Sequence, residues 1–206
     1  MPATLYLTRG SGNSFKPALV LRQTGRSATL KFLDVLAGES RRPEFLAINP
    51  LGQVPYLVLE DGRGIGQSNA IAWWAAEGTP LMPADAVSRA QALQWMIFEQ
   101  TALEPNISPA RFFTHIVPAQ REAHAADIPR WLEAGHRGLG VLEQHLTHRA
   151  FITDHGYSVA DVAVYGYTHL AGEGGFDLER YPAVQAWMQR VRSTPGYTDI
   201  GELLAH

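Results

Sequence analysis

The feature that most constrains this chain is a change of hydrophobic period part-way along it. Strand-like runs are confined to the first third: Leu5-Tyr6-Leu7, Leu30 to Leu36, Tyr56 to Glu60 and a very short stretch at Ile65. Between and after them, Phe15 to Leu21, Arg42 to Ile48 and the segment through Ala70, Ile71, Trp74 and Ala75 carry helical spacing. Asn49-Pro50-Leu51-Gly52 and Asp61-Gly62-Arg63-Gly64 are turn signals, the second a hairpin, and Ser68 stands where it can N-cap the helix that follows. The order is β-α-β-α-β-β-α.

Gly78-Thr79-Pro80-Leu81-Met82-Pro83 ends that series with residues that stop a helix. From Ser88 onward the period is helical: Trp95, Phe98 and Ala102 share one face, and Trp131, Leu139, Leu142 and Leu146 mark another helix. A mixed α/β part followed by a helical part predicts two packed units with a cleft between them, 1–80 and 87–206, with the boundary near Met82. In a chain of 206 residues each half is long enough to bury its own core.

Composition narrows the chemistry. Seventeen Lys+Arg against twenty Asp+Glu give a formal charge of −3 with no block of like charge. That leaves no electrostatic footprint for nucleic acid or an anionic membrane and points to a small-molecule partner. The absence of cysteine excludes disulfides, thiolate metal sites and a cysteine nucleophile, so any thiol chemistry must use a borrowed thiol. Met1-Pro2-Ala3-Thr4-Leu5 lacks the basic and apolar regions of a signal peptide, and no apolar run approaches membrane-spanning length, so a cytoplasmic protein is expected. His145 and His148 stand at helical ligand spacing without a third ligand in view, so no metal is expected.

The most informative stretch is Asn49-Pro50-Leu51-Gly52-Gln53-Val54-Pro55-Tyr56-Leu57, followed by Gln67-Ser68-Asn69-Ala70-Ile71. Together they resemble the glutathione-binding signature of cytosolic glutathione transferases. The resemblance implies a cis Val54-Pro55 bond and a tripeptide read by main chain at Gln53, Val54 and Pro55, much as a strand is added to a sheet edge. It also implies that the Ser68 hydroxyl and the first N–H groups of its helix bind the γ-glutamyl carboxylate, with Gln67 at the same end. Many relatives carry an acidic residue where Gln67 stands. The neutral side chain is closer to the zeta-like and theta-like branches, and it leaves the partner of the γ-glutamyl ammonium open.

Ser11-Gly12-Asn13-Ser14-Phe15-Lys16 lies between the first strand and the first helix, where that family keeps the residue that activates the thiol. The loop resembles the Ser/Thr-type transferases, which implies Ser11 as principal donor, then Asn13, then Ser14. A thiol of pKa roughly 8.5 is only a few per cent thiolate at neutral pH, and lowering it by about two units needs about 2.7 kcal/mol. A hydroxyl donor and a helix N-terminus can supply that. The same residues also suit a turn and an N-cap. Tyr6, another thiol donor type in the family, reads as a core residue of the first strand.

In the second half, Ser158-Val159-Ala160-Asp161 has capping-box spacing and a structural role, and it too resembles the family. Tyr181-Pro182 through Trp187 and Thr194-Pro195-Gly196-Tyr197 match the family's closing helices. Trp95, Phe98, Arg111, Phe112, His115 and Tyr165 are candidates for an electrophile pocket, with Phe112, Arg111 and His115 foremost. Arg111 is suited to an acidic substrate or to snorkelling into solvent. Arg41 and Arg42 could hold the glycyl carboxylate or form a solvated pair.

The resemblance thus implies an α/β thioredoxin-like N-terminal domain and an all-α C-terminal helical bundle. Glutathione is the implied co-substrate, a small hydrophobic or acidic electrophile the second substrate, and a homodimer the assembly. Three rival activities share these features: a glutathione-dependent isomerase, though the loop lacks that branch's Ser-Ser-Cys-Ser; a glutathione-dependent disulfide reductase; and a non-catalytic binding or scaffold module.

Overall fold

In the computed structural model, which describes residues 2–205, four strands form one mixed sheet. They are β1 (Thr4–Leu7), β2 (Thr29–Phe32), β3 (Tyr56–Val58) and β4 (Gly64–Gly66), in the spatial order β2-β1-β3-β4. β1 runs parallel to β2 and antiparallel to β3, and β3 pairs antiparallel with β4. A parallel pair needs a crossover. Helix α1 (Gly12–Thr24) supplies it, starting at the Ser11 N-cap and ending at Gly25, whose φ of 70° closes the helix. The one-turn α2 (Pro43–Leu46) follows β2, and α3 (Ser68–Ala76) follows β4 and packs along α1. Leu5 and Leu7 are fully buried while Thr4 and Tyr6 are part-exposed, the alternation of a strand with one face on the core.

Two local expectations change. The period extends the second strand to Leu36, but β2 ends at Phe32. Asp34 Oδ1 accepts from the Ala37 N–H at 2.9 Å, and Glu39 Oε2 accepts from the Asp34 N–H at 2.8 Å, turning the chain out of the sheet. Ser68, expected as an N-cap, is the first helical residue instead. Gln67 takes the cap position with φ 68°, the only positive φ outside glycine among the described residues.

The remaining helices are α4 (Ala86–Phe98), α5 (Glu104–Arg111), α6 (Asp127–Leu146), α7 (Val159–Thr168), α8 (Pro182–Arg192) and the one-turn α9 (Ile200–Leu203). Single π-helical turns at Glu99–Leu103 and Phe112–Ile116 flank α5. Every residue of α7 is buried, which makes it the centre of the bundle. Asp161 lies beneath its first turn. Its Oδ2 accepts from Ser158 N at 2.9 Å and Ser158 Oγ at 3.1 Å, and its Oδ1 from Ile152 N and Trp187 Nε1, each at 2.9 Å. The capping box is therefore formed, and it also ties α8 and the loop before α7 to the same carboxylate.

The chain divides into two compact units, Met1–Met82 with Pro195–His206, and Pro83–Thr194. The sequence expectation runs the helical part from 87 to 206, whereas the segment after Thr194 belongs to the first unit. Gln23 Nε2 donates to Pro195 O at 3.3 Å, Arg9 Nε to Ala205 O at 3.4 Å, and α9 packs on α1. These contacts hold the segment across α1.

Candidate active site

Three segments reach the same end of the sheet. Tyr6 is level with Tyr56, and Tyr56 with Gly66. Continuing both registers sets Thr8 level with Val54, and Val54 with Ser68. The loop after β1, the turn before β3 and the start of α3 are thereby brought together by strand pairing alone.

In the first segment, Ser14 is fully buried and its Oγ accepts from the Thr8 N–H at 3.0 Å, closing the turn from β1 into α1. Its place is structural. Ser11 is half-buried, and its Oγ accepts from the Ser14 N–H at 3.3 Å as the N-cap of α1. A serine oxygen that accepts still carries its own O–H donor. The Ser11 hydroxyl hydrogen has no protein acceptor among the described residues. Asn13 turns its Oδ1 inward, accepting from Ser68 Oγ at 2.9 Å and from Lys16 Nζ at 3.0 Å.

In the second segment, the Val54-Pro55 bond is cis, as the resemblance implies, and Pro55 is buried. The turn before it is tightly built. Asn49 is 5% exposed, its Nδ2 donates to Gln53 O at 2.8 Å, and its Oδ1 accepts from Leu51 N at 3.2 Å. Gly52 has φ 58°, and a Cβ there would lie 2.8 Å from Ser40 O, so only glycine fits. The N–H and C=O of the half-buried Val54 have no protein partner among the described residues.

In the third segment, the exposed Gln67 makes no side-chain cap bond to the first N–H groups of α3. A helix N-terminus left without a side-chain cap presents donors and a partial positive charge to an anion. Ser68 is 4% exposed and gives its hydroxyl hydrogen to Asn13, which differs from the direct carboxylate contact that the resemblance implies. Its main-chain N–H stays with the helix end.

The other candidates make contacts of their own. Tyr6 packs its ring 5.3 Å from that of Phe45, on the part-exposed face of β1. Arg41 Nη1 donates to Leu51 O at 3.0 Å, and Arg42 pairs with Glu39 at 3.1 Å, so both serve local structure. In the helical unit Arg111 is 8% exposed and its Nε donates to Glu173 Oε2 at 2.6 Å. His115, at the exposed end of the same π turn that holds Phe112, lies 3.3 Å from that carboxylate oxygen. Glu173 thus gives Arg111 an internal carboxylate, a partner 62 residues away that sequence spacing does not reveal. Lys16, fully buried in α1, is a neighbour of these residues to which the sequence alone assigns no role. Its signal is its position at i+3 from Asn13.

The residues match two family descriptions: the N-terminal domain of glutathione S-transferases over 1–77 and the C-terminal domain over 122–190. This chain belongs to the glutathione S-transferase family. It is 30% identical over 190 residues to the disulfide-bond oxidoreductase YfcG of Escherichia coli, covering 89% of this chain and 87% of that one. Among solved structures it is similar to a possible glutathione S-transferase from Rhodopseudomonas palustris, with 44% identity and a TM-score of 0.94 over 97% and 98% of the two chains. Ure2p in complex with glutathione is 25% identical with a TM-score of 0.83, over 100% of this chain and 94% of that one. The glutathione S-transferase fold therefore recurs here with its mixed sheet and its helical C-terminal region. Among the described residues no helix is long and apolar enough to cross a membrane, and no group of three or more His, Asp or Glu side chains could hold a metal.

Proposed function

We propose that this protein is a glutathione transferase in which Gln53, Val54, Pro55, Gln67 and Ser68 hold the tripeptide and Ser11 stabilises its thiolate. The observation that carries this reading is Val54. An N–H and C=O without protein partners stand at the sheet end where Ser11 O–H and the N-terminus of α3 also lie. The cysteinyl main chain of glutathione supplies one acceptor and one donor, which satisfies both Val54 groups in an antiparallel pairing. The γ-glutamyl carboxylate then meets the α3 N–H groups, and the Gln67 carbonyl oxygen is an acceptor for the neighbouring ammonium.

The Ser11 O–H, with Asn13 beside it, donates to the sulfur. A donor to a charged acceptor favours the thiolate and lowers its pKa. The thiol proton passes to solvent. The sulfur forms a bond to an electrophilic carbon of a small hydrophobic or acidic substrate, and the leaving group departs with its bonding pair. Positioning of two bound reactants accounts for the rest of the acceleration. The active assembly is a homodimer in the cytoplasm.

Calorimetry of glutathione binding, ultraviolet titration of the bound thiol and halide release from a chloronitroarene test this reading. Binding, a lowered thiol pKa that relaxes in Ser11→Ala, and halide release support it; a wild type that binds no glutathione overturns it.

The 30% identity to a disulfide-bond oxidoreductase favours one second activity. Without a cysteine of its own the protein would reduce a disulfide with two glutathiones. The first thiolate displaces one sulfur to form a mixed disulfide, and the second displaces the other and leaves as glutathione disulfide. Turnover of a small hydroxyalkyl disulfide at rates well above halide release would assign this activity instead.

A further inference from the structure

We propose that Arg9 is a positioning residue for the loop that carries Ser11, held in place by the C-terminal segment 195–205; this inference rests on the glutathione reading above. The segment is anchored to the first unit at both ends. Gln23 Nε2, near the end of α1, donates to Pro195 O at 3.3 Å. At the far end, Arg9 Nε and Nη2 both donate to Ala205 O at 3.4 Å. Residue 195 thus stands by the end of α1 and residue 205 by the turn before its start, so the segment follows α1 in the opposite sense, with α9 packed on the helix between the two anchors. Thr198 and Leu204 are 6% and 2% exposed, so the segment is built into the unit and not draped over it.

Only Gly10, with φ 66°, separates Arg9 from Ser11. Glycine at positive φ gives a turn its shape but little stiffness, so the direction in which Ser11 leaves it is set by neighbouring contacts. One is the Ser14 Oγ that accepts from Thr8 N. The other is the seat of Arg9, whose guanidinium carbon lies 4.5 Å from the ring centroid of Phe32, the last residue of β2, while its edge meets Ala205 O. A planar guanidinium can stack by its face and donate along its edge at once. The turn between Thr8 and Ser11 is thereby clamped at both of its ends. Hydrogen bonds weaken steeply with misalignment, and a donor fixed before charge develops is worth most to the thiolate.

The test compares the pKa of enzyme-bound glutathione, from its ultraviolet thiolate absorbance, in wild type, Arg9→Ala, Arg9→Lys, a chain ending at Asp199 and that shortened chain with Arg9→Ala. Lysine keeps the charge of arginine without its planar fork. A rise of about half a unit to one unit is expected in Arg9→Ala, in Arg9→Lys and in the shortened chain. The combined variant should match either change alone, because two parts of one clamp do not add. Arg9→Lys with the wild-type value would assign Arg9 a charge effect and no clamp. That result, a shortened chain whose bound-thiol pKa does not move, or a stability loss with no shift in any variant overturns the inference while leaving glutathione binding intact. If the shortened chain does not fold, the Arg9→Lys arm decides. A wild type that binds no glutathione overturns both readings together.

Discussion

Asn13 Oδ1 lies 2.9 Å from Ser68 Oγ, so the first turns of two helices whose bonded residues are 55 positions apart share one side-chain hydrogen bond. That bond ties the start of α3 to the first turn of α1, joining two of the three segments of the candidate site. In a Ser68→Ala, Asn13→Ala double-mutant cycle, urea denaturation should return a coupling of about 1 kcal/mol. Additive losses would show that the two residues act separately.

The three hydroxyl and amide residues of the first loop separate by measurement. Ser14→Ala removes the acceptor of the Thr8 N–H. It should cost about 1–3 kcal/mol of stability, the range for a donor left unsatisfied, and leave the bound-thiol pKa where it was. Ser11→Ala should cost about 1 kcal/mol as a lost cap while raising that pKa by roughly one to two units. Thermal melts and ultraviolet titration of both variants decide the assignment, and the reverse pattern would give the thiol to Ser14.

Gln67 holds φ 68° without the freedom of glycine. Backbone conformations of this kind cost free energy and persist where the surrounding structure needs them. Gln67→Gly should therefore raise the unfolding free energy by about 1 kcal/mol, and it should weaken glutathione binding by removing the amide. A variant that loses stability would mean that Gln67 contributes contacts worth more than its strain.

Acid stability should hinge on two buried groups of the helical unit that oppose each other. Burial pushes Asp161 up to about 6 from 3.8, outweighing the donors from Ile152, Trp187 and Ser158. Its contribution is full below pH 3.8 and lost as the pH rises through about 6. Burial, with smaller effects from Arg192 and Arg111, pushes His169 down to about 4 from 6.5, its Nδ1 held 2.7 Å from Tyr165 O and its Nε2 shielded from solvent. That contribution is full above pH 6.5 and lost as the pH falls through about 4. Each is worth about 3 kcal/mol, so in wild type they nearly cancel between pH 4 and 6.5. Asp161→Asn should expose the His169 dependence, with stability falling by about 3 kcal/mol as the pH drops from 6.5 to 4. Guanidinium midpoints across that range provide the check, and a flat profile in the variant would refute it.

Much of the first unit is legible because its signals are local. Period 2 at Leu5 and Leu7, turns at Gly52 and Gly62, and the Val54-Pro55 and Gln67-Ser68 pairs all sit within a few residues of the structure they specify. The end of β2 is not legible. Val35 and Leu36 continue the apolar pattern, yet they are 41% and 64% exposed and belong to a turn. An apolar residue left at the surface looks, in sequence, like one facing a core. The partners of Ser68 and Arg111 were likewise out of reach, since Asn13 and Glu173 are set by tertiary packing and not by spacing. The unit to which residues 195–205 belong depends on Gln23 and α1, which no motif in that segment announces.

The return of that segment to α1 has a consequence for how the protein is made. A ribosome delivers β1, α1 and the whole sheet early, yet the outer support of α1 emerges only after the entire helical unit has been synthesised. The nascent first unit must wait, with one flank of α1 uncovered, for residues more than a hundred positions downstream. Removing residues from 195 onward would thus strip α1 while leaving the helical unit whole, so the lesion would fall on the part of the chain farthest away in sequence.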